Sequence, residues 1–247
     1  MTTLHLTGAN GDELEAELFL PAQPNRRAVL LVHEVFGLDA FMRSVAERFA
    51  NEGYVALIPD LYSREGLPGP ASTDADPAPS WTTDAIRAAV ASLPDRRVLA
   101  DLEAGAALLA ERDDVDPDKL AVLGFCMGGN YAYLLGCHSH RLSAAVDFYG
   151  RIVYADLSAE KPVQPLEMGL NLSVPLLGLF GEEDASIPLE HVDKLRDTLA
   201  AFAKDFECVT YPGAGHGFFN QLRSPDTEGA AQDAWQRVLA FLDERLD

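Results

Sequence analysis

The sequence predicts an α/β fold with a mostly parallel central sheet, an antiparallel hairpin at its N-terminal end and helices on both faces. Short apolar runs without alternation, typical of strands buried on both faces, recur along the chain. Amphipathic helical patterns lie between them, and this alternation is typical of parallel sheets. A length of 247 residues with 48% hydrophobic content fits one globular domain spanning residues 1–247.

The first two elements are predicted to form the hairpin. Residues 4–7 and 14–20 alternate between apolar and polar side chains. Ala9-Asn10-Gly11-Asp12 lies between them, and its Asn-Gly dipeptide indicates a type I′ hairpin turn. We therefore expect two antiparallel strands joined by a tight turn.

The remaining elements follow in alternating order. They are strand 28–32, helix 40–52, strand 55–58, helices 83–92 and 96–112, strand 120–123, helix 127–137, strands 144–148 and 176–180, helix 189–202, strand 207–211 and helix 227–246. Leu93-Pro94 predicts a break between the two middle helices, because proline lacks a backbone N–H. Residues 63–80 are rich in proline, glycine, aspartate and alanine, which predicts a loop or lid.

Charge and cysteine content exclude several classes of function. With 39 acidic and 19 basic residues, the net charge is −20, which opposes binding to nucleic acids or anionic membranes. Three cysteines without C-x-x-C spacing argue against disulfides and structural zinc, and Cys137-His138-Ser139-His140 is interpreted as a surface turn. No apolar run approaches the ~20 residues of a membrane span. We expect a cytoplasmic protein, monomer or homodimer, without metal or cofactor.

One segment carries a strong chemical signal. Gly124-Phe-Cys126-Met-Gly128 has the pattern G-x-C-x-G, between a predicted buried strand and a helix, the same context as the G-x-S-x-G nucleophile elbow. At a helix N-terminus, unpaired N–H groups and the helix dipole favour an anion, so Cys126 is placed to react as a thiolate. The alternative is a buried cysteine in a glycine-rich turn.

A candidate acid and base follow at the ends of later strands. Asp184 comes after strand 176–180, and His216 comes after strand 207–211. Both loops belong to the carboxyl edge of the sheet, where open parallel sheets place their sites. His216 is predicted to take the thiol proton and Asp184 to orient the histidine. Glu182 and Glu183 are alternatives to Asp184.

With these motifs, the chain resembles the dienelactone hydrolase (carboxymethylenebutenolidase) family of the α/β-hydrolase fold. The resemblance implies a triad of Cys126, Asp184 and His216, with Glu34 in the oxyanion loop. It also implies an oxyanion hole formed by two backbone N–H groups, and the single donors of such holes are worth ~3–4 kcal/mol. The matching segments are 32–37, 124–129, 148–150, the Asp184 turn and 215–218, and the oxyanion N–H groups are those of Val35 and Met127.

Glu34 raises a question of charge, because a carboxylate beside Cys126 disfavours the thiolate by like-charge repulsion. The resemblance implies that Glu34 holds the thiol or takes its proton, and turns away when an anionic substrate binds. The alternative is an exposed loop carboxylate.

The substrate pocket departs from the type enzyme. Asn220 stands four residues after His216, where the resemblance implies a substrate-binding arginine, and a neutral amide cannot replace a guanidinium. Arg64 and Arg87 are the candidates for the family's other substrate-binding arginine. The alternative is that both are solvated surface residues. The candidate pocket residues are Phe36, Trp81, Arg87, Tyr149 and Asn220.

Together these features predict a cysteine-dependent hydrolase that opens a lactone or enol ester through a thioacyl-enzyme. The resemblance implies the reaction from dienelactone to maleylacetate. One alternative is a broader carboxylesterase acting on neutral or aryl esters, which Asn220 favours. A non-enzymatic alternative is a thiol-sensing or binding protein on the same scaffold. In each case the expected partner is a small molecule.

Overall fold

The central feature of the fold is an eight-stranded sheet. The computed structural model describes residues 1–64, 83–224 and 227–247, excluding the side chains of residues 83 and 85–87. The strands at residues 2–7, 13–19 and 55–59 are antiparallel neighbours, and the other neighbouring strands are parallel. The predicted fold class is therefore confirmed.

The helices and strands lie close to their predicted bounds. The strands are β1 Thr2–Thr7, β2 Glu13–Phe19, β3 Ala28–Val32, β4 Val55–Pro59, β5 Leu120–Phe125, β6 Ala144–Phe148, β7 Leu176–Gly181 and β8 Phe206–Tyr211. Their order in the sheet is β1-β2-β4-β3-β5-β6-β7-β8. The helices are α1 Ala40–Asn51, α2 Thr83–Ser92, α3 Asp95–Ala110, α4 Met127–Gly136, α5 Leu189–Ala201 and α6 Glu228–Arg245. Pro94 precedes α3 as its N-cap, so the predicted break between α2 and α3 is confirmed.

The N-terminal hairpin has the predicted strands, and its turn lies at the predicted dipeptide, where the Asp12 N–H donates to the Ala9 carbonyl oxygen at 3.1 Å. Thr7 pairs with Glu13, which leaves a five-residue connection containing a short 3₁₀ turn. Asn10 and Gly11 keep the positive φ angles of 60° and 80° that the dipeptide indicates. Asp101 on α3 accepts a hydrogen bond from the Ala9 N–H at 2.7 Å and so ties this connection to the helix. The local turn preference of Asn10-Gly11 is therefore kept within a longer connection.

The hydrophobic core surrounds the middle of the sheet. Strands β3 to β7 are buried along their whole length, as their continuous apolar sequences predict. Every residue of α4 is buried as well, so the helix that follows Cys126 lies in the interior. The helix that begins directly after the candidate nucleophile is therefore packed on every face.

Among the described residues, none of the helices combines the length and hydropathy needed to cross a bilayer. From residue 65 onward, the predicted loop or lid at 63–80 lies outside the described residues.

Candidate active site

The site is built on a strained turn between β5 and α4. Cys126 has φ 54° and ψ −115°, a conformation that L-residues rarely adopt. A Cβ at Gly124 would lie 1.9 Å from the Gly128 carbonyl oxygen, and one at Gly128 would lie 2.1 Å from that of Val32. Both positions therefore require glycine, and the turn presents the partly exposed Cys126 side chain at the carboxyl edge of the sheet.

Cys126, His216 and Asp184 form a continuous chain of contacts. Cys126 Sγ lies 3.0 Å from His216 Nε2, and His216 Nδ1 lies 2.7 Å from Asp184 Oδ2. The other carboxylate oxygen of Asp184 accepts the N–H groups of Ser186 at 2.7 Å and Ile187 at 3.1 Å. Asp184 is thus fixed by its own loop and fixes the imidazole in turn.

The electrostatics of this chain favour a protonated histidine. Burial opposes the charge on His216, but hydrogen bonds to Asp184 and Cys126, together with the negative charges of both, raise the pKa of His216 to about 10. The ring is still partly open to solvent, with 34% of its side chain exposed. The contacts therefore suit a positively charged imidazole that lies between the Asp184 carboxyl group and the Cys126 sulfur.

The two alternative acids are directed elsewhere. Glu182 Oε1 accepts a hydrogen bond from Thr210 Oγ1 at 3.0 Å, and Glu183 is exposed. Neither contacts His216. Of the three candidate acids, Asp184 is the one that the structure brings to the histidine.

The loop after β3 lies beside the elbow, because Val32 is opposite Gly124 in the β3–β5 register. His33 is completely buried and fixes this loop: its Nδ1 contacts the Glu34 carbonyl oxygen at 2.6 Å, and its Nε2 accepts the Leu61 N–H at 3.1 Å. Burial is the largest influence on His33 and lowers its pKa. The ring is therefore neutral, with its proton on Nδ1.

The two expected oxyanion donors are unengaged. Neither the Val35 N–H nor the Met127 N–H donates a hydrogen bond to another residue in the described part of the chain. Met127 is the first residue of α4, where backbone N–H groups have no partner within the helix. Both donors are available to a bound carbonyl oxygen.

Glu34 is buried and faces Asn220. The side chain of Asn220, whose residue is 1% exposed, donates from Nδ2 to Glu34 Oε2 at 3.0 Å. Burial raises the pKa of Glu34 to about 7, against the opposing influences of Asn220, Arg223 and His216. The alternative of an exposed carboxylate is wrong, since Glu34 is only 4% exposed. No hydrogen bond joins Glu34 to Cys126 in this conformation.

The other pocket candidates occupy different settings. Tyr149 is fully buried, and its ring meets the His216 ring at 5.2 Å in an edge-on arrangement. Burial raises the pKa of Tyr149, as do the nearby charges of Glu34 and Cys126. Arg64 pairs with Asp101. Trp81 and the side chain of Arg87 lie outside the described residues.

Arg223 is a neighbour of the site that sequence reasoning missed. Its guanidinium carbon lies 3.5 Å from the centroid of the Phe36 ring, and Nη2 lies 3.8 Å from Asp39 Oδ2. Phe36 directly follows Val35, so a cation lies next to the loop with the expected oxyanion donor. The only signal in the sequence was an arginine seven residues after His216, and this spacing matches no motif.

The sheet order, with a cysteine at the strand-to-helix elbow beside a histidine–aspartate pair, defines an α/β-hydrolase. The sequence model of the Dienelactone hydrolase family matches residues 14–246. The chain belongs to this family and is a hydrolase acting on lactone or ester bonds. The non-enzymatic alternative is thus set aside.

Individual relatives agree with this membership. A Yersinia pestis protein provisionally named a carboxymethylenebutenolidase is 38% identical over 233 residues, covering 94% of this chain and 84% of its own length. A Bradyrhizobium protein provisionally named a 2-oxo-3-(5-oxofuran-2-ylidene)propanoate lactonase is 32% identical and covers 95% and 91%. The crystal structure of a Klebsiella pneumoniae protein, provisionally named a dienelactone hydrolase, has a TM-score of 0.86 at 33% identity, with 98% of both chains covered.

Proposed function

We propose that this protein hydrolyses lactones or enol esters with Cys126 as the nucleophile. The observation that carries the proposal is the contact chain from Cys126 Sγ to His216 Nε2 at 3.0 Å and from His216 Nδ1 to Asp184 at 2.7 Å. In this arrangement a thiolate faces the carboxyl edge of the sheet, and its proton resides on an imidazole oriented by a buried carboxylate.

The proposed reaction has two halves. The Cys126 sulfur attacks the carbonyl carbon, and the N–H groups of Val35 and Met127 hold the resulting oxyanion. The bond to the leaving oxygen then breaks, and His216 supplies the proton that this oxygen requires. In the second half, His216 takes a proton from water, the hydroxide attacks the thioester carbon, and the Cys126 thiolate departs.

The leaving group determines the preferred substrate class. A thiolate expels weakly basic oxygens, such as enolates and phenolates, more readily than simple alkoxides. Enol lactones and aryl esters are therefore the proposed substrates. The relative named as a lactonase of 2-oxo-3-(5-oxofuran-2-ylidene)propanoate supports the enol-lactone class.

A broader carboxylesterase acting on neutral esters is the second candidate, and the setting of Asn220 favours it. Asn220 stands where the family resemblance implies an arginine, and its amide is buried against Glu34 rather than open to a ligand. A neutral ester needs no guanidinium at this position, whereas an anionic lactone does.

The mechanism is tested by trapping the intermediate. The protein is mixed with an aryl ester and quenched in acid during turnover, and its peptides are then examined by mass spectrometry. We expect the acyl mass on the peptide containing Cys126, because acid protonates His216 and stops the attack of water. An acyl group on a serine peptide would contradict the mechanism. A burst of product without any acylated peptide would contradict it as well.

Glu34→Gln is expected to change the pH dependence of Cys126. The glutamine retains an oxygen for Asn220 but carries no charge, whereas in the native chain Glu34 becomes negative above about pH 7. We expect Cys126 alkylation by iodoacetamide to be about two- to tenfold faster in the variant at about pH 8, and equal in both proteins at about pH 5.5. Exposed Glu47→Gln is the control. Unchanged alkylation profiles and unchanged hydrolysis rates would remove Glu34 from the mechanism.

A further inference from the structure

Asp147, on β6, is a buried carboxyl group with no part in the steps above. The residue is 0% exposed. Its Oδ1 accepts the Gly150 N–H at 2.7 Å, whereas Oδ2 is buried and has no hydrogen-bond partner among the described residues. Burying a carboxyl group that accepts a single hydrogen bond is unfavourable, so its presence in the interior indicates a role for Asp147.

The carboxyl group lies between the elbow helix and the turn after β6. A Cβ at Gly129, in the first turn of α4, would lie 2.3 Å from Asp147 Oδ1, and a Cβ at Gly150 would lie 2.4 Å from the same oxygen. The Cys126 N–H also donates to the Phe148 carbonyl oxygen at 2.9 Å. Asp147 thus fills the space where the end of β6 meets the candidate nucleophile.

The turn that Asp147 holds presents Tyr149 to the histidine. Tyr149 has a φ of 44°, in the left-handed region that a tyrosine rarely adopts. Its N–H donates to the Leu179 carbonyl oxygen at 2.9 Å, and its ring meets His216 at 5.2 Å. The hydrogen bond between Gly150 and Asp147 closes the turn on the other side of Tyr149.

The surroundings of Asp147 favour its uncharged form. Burial raises the pKa of Asp147 to about 7, outweighing the Gly150 hydrogen bond. The titratable groups that face it are Tyr133 on α4 and Cys208 on β8, and burial raises the pKa of both. Arg196 lies near Cys208 but pairs with Asp193. No cation in the described chain pairs with Asp147, so an ionised carboxylate there has a hydrogen bond from Gly150 alone.

We propose that Asp147 is a positioning residue whose neutral carboxyl group holds the Tyr149 turn between the elbow helix and His216, and whose ionisation loosens that turn. The inference rests on the proposed function, because Tyr149 acts on the reaction through His216. In this proposal the ionisation of Asp147 makes the reaction rate depend on pH, although Asp147 touches neither the substrate nor the reacting atoms.

The test compares Asp147→Asn and Asp147→Ala with the native protein, using exposed Asp156→Asn as control. Asparagine keeps an acceptor for the Gly150 N–H and cannot ionise, whereas alanine removes the acceptor. Two rates are measured between about pH 6 and pH 8.5: kcat and KM for an aryl ester, and the alkylation rate of Cys126 followed on its own peptide. The ratio of variant to native rate cancels the titration of Glu34, since all the proteins contain that residue.

We expect the Asp147→Asn to native ratio of kcat to be close to one at about pH 6 and to rise about fivefold by about pH 8.5, with a parallel rise in the alkylation ratio. Asp147→Ala is expected to lose about tenfold in kcat at about pH 6, with little change in KM. A ratio for Asp147→Asn that does not vary with pH overturns the inference, whether or not Asp147→Ala folds. If the native protein hydrolyses no ester, the proposed function fails instead, and the alkylation ratio still decides the role of Asp147.

Discussion

Replacing Cys126 by alanine is expected to lower kcat/KM for an aryl ester by about 10⁴-fold or more. The thiol is the proposed attacking group, and neither His216 nor a backbone N–H can form the thioester in its place. The fold is expected to remain, because alanine fits the Cys126 position in a partly exposed turn. Initial rates and circular dichroism of the two proteins provide the measurement.

Cys137→Ala is the matched control for the Cys126 variant. Cys137 is a buried thiol at the other end of α4, and burial raises its pKa to about 12. Activity within about threefold of the native protein is expected, because the change removes only a small apolar contact. A Cys126→Ala protein that retained more than about one per cent of native activity would exclude a cysteine mechanism.

The second large effect is expected from Asp184→Asn, with a loss of about 10³- to 10⁴-fold in kcat. The N–H groups of Ser186 and Ile187 hold an oxygen at Oδ1, so the new amide nitrogen faces His216 Nδ1. That nitrogen donates to Nδ1 and moves the imidazole proton to Nε2. His216 then presents a proton to Cys126 and cannot accept one.

Glu183→Gln is the control for this substitution, since the neighbouring carboxylate is exposed and does not contact the histidine. We expect native rates for it and an unchanged urea midpoint for both variants. The position of the imidazole proton is measured directly by ¹⁵N chemical shifts of His216. A native tautomer in Asp184→Asn, or native kcat, would show that Asp184 does not orient the base.

The residues of the candidate site can be read from the sequence where the chemistry and the backbone geometry coincide. A Cβ at Gly124 or Gly128 would lie 1.9 or 2.1 Å from a carbonyl oxygen, so the two glycines around Cys126 are a structural necessity visible in the sequence. Asp184 and His216 were selected because they follow β7 and β8, and parallel strands bring their carboxyl ends to one edge.

What sequence reasoning missed depends on contacts between distant segments. Glu34 and Asn220 are 186 residues apart, and no local pattern indicates their hydrogen bond. The stacking of Arg223 on Phe36 is of the same kind. Asp147 also looks like an ordinary strand residue until its burial and its missing partner are known.

The exposure of Cys126 has a consequence for chemical stability. The proposed nucleophile is also the thiol that a peroxide reaches most readily, because Cys137 is buried and burial raises the pKa of both Cys137 and Cys208 to about 12. Neither of these two supplies a thiolate to capture a sulfenic acid as a disulfide. Reversal of oxidation at Cys126 therefore depends on an external thiol, and a second peroxide molecule oxidises an unrepaired sulfenic acid to the irreversible sulfinic acid.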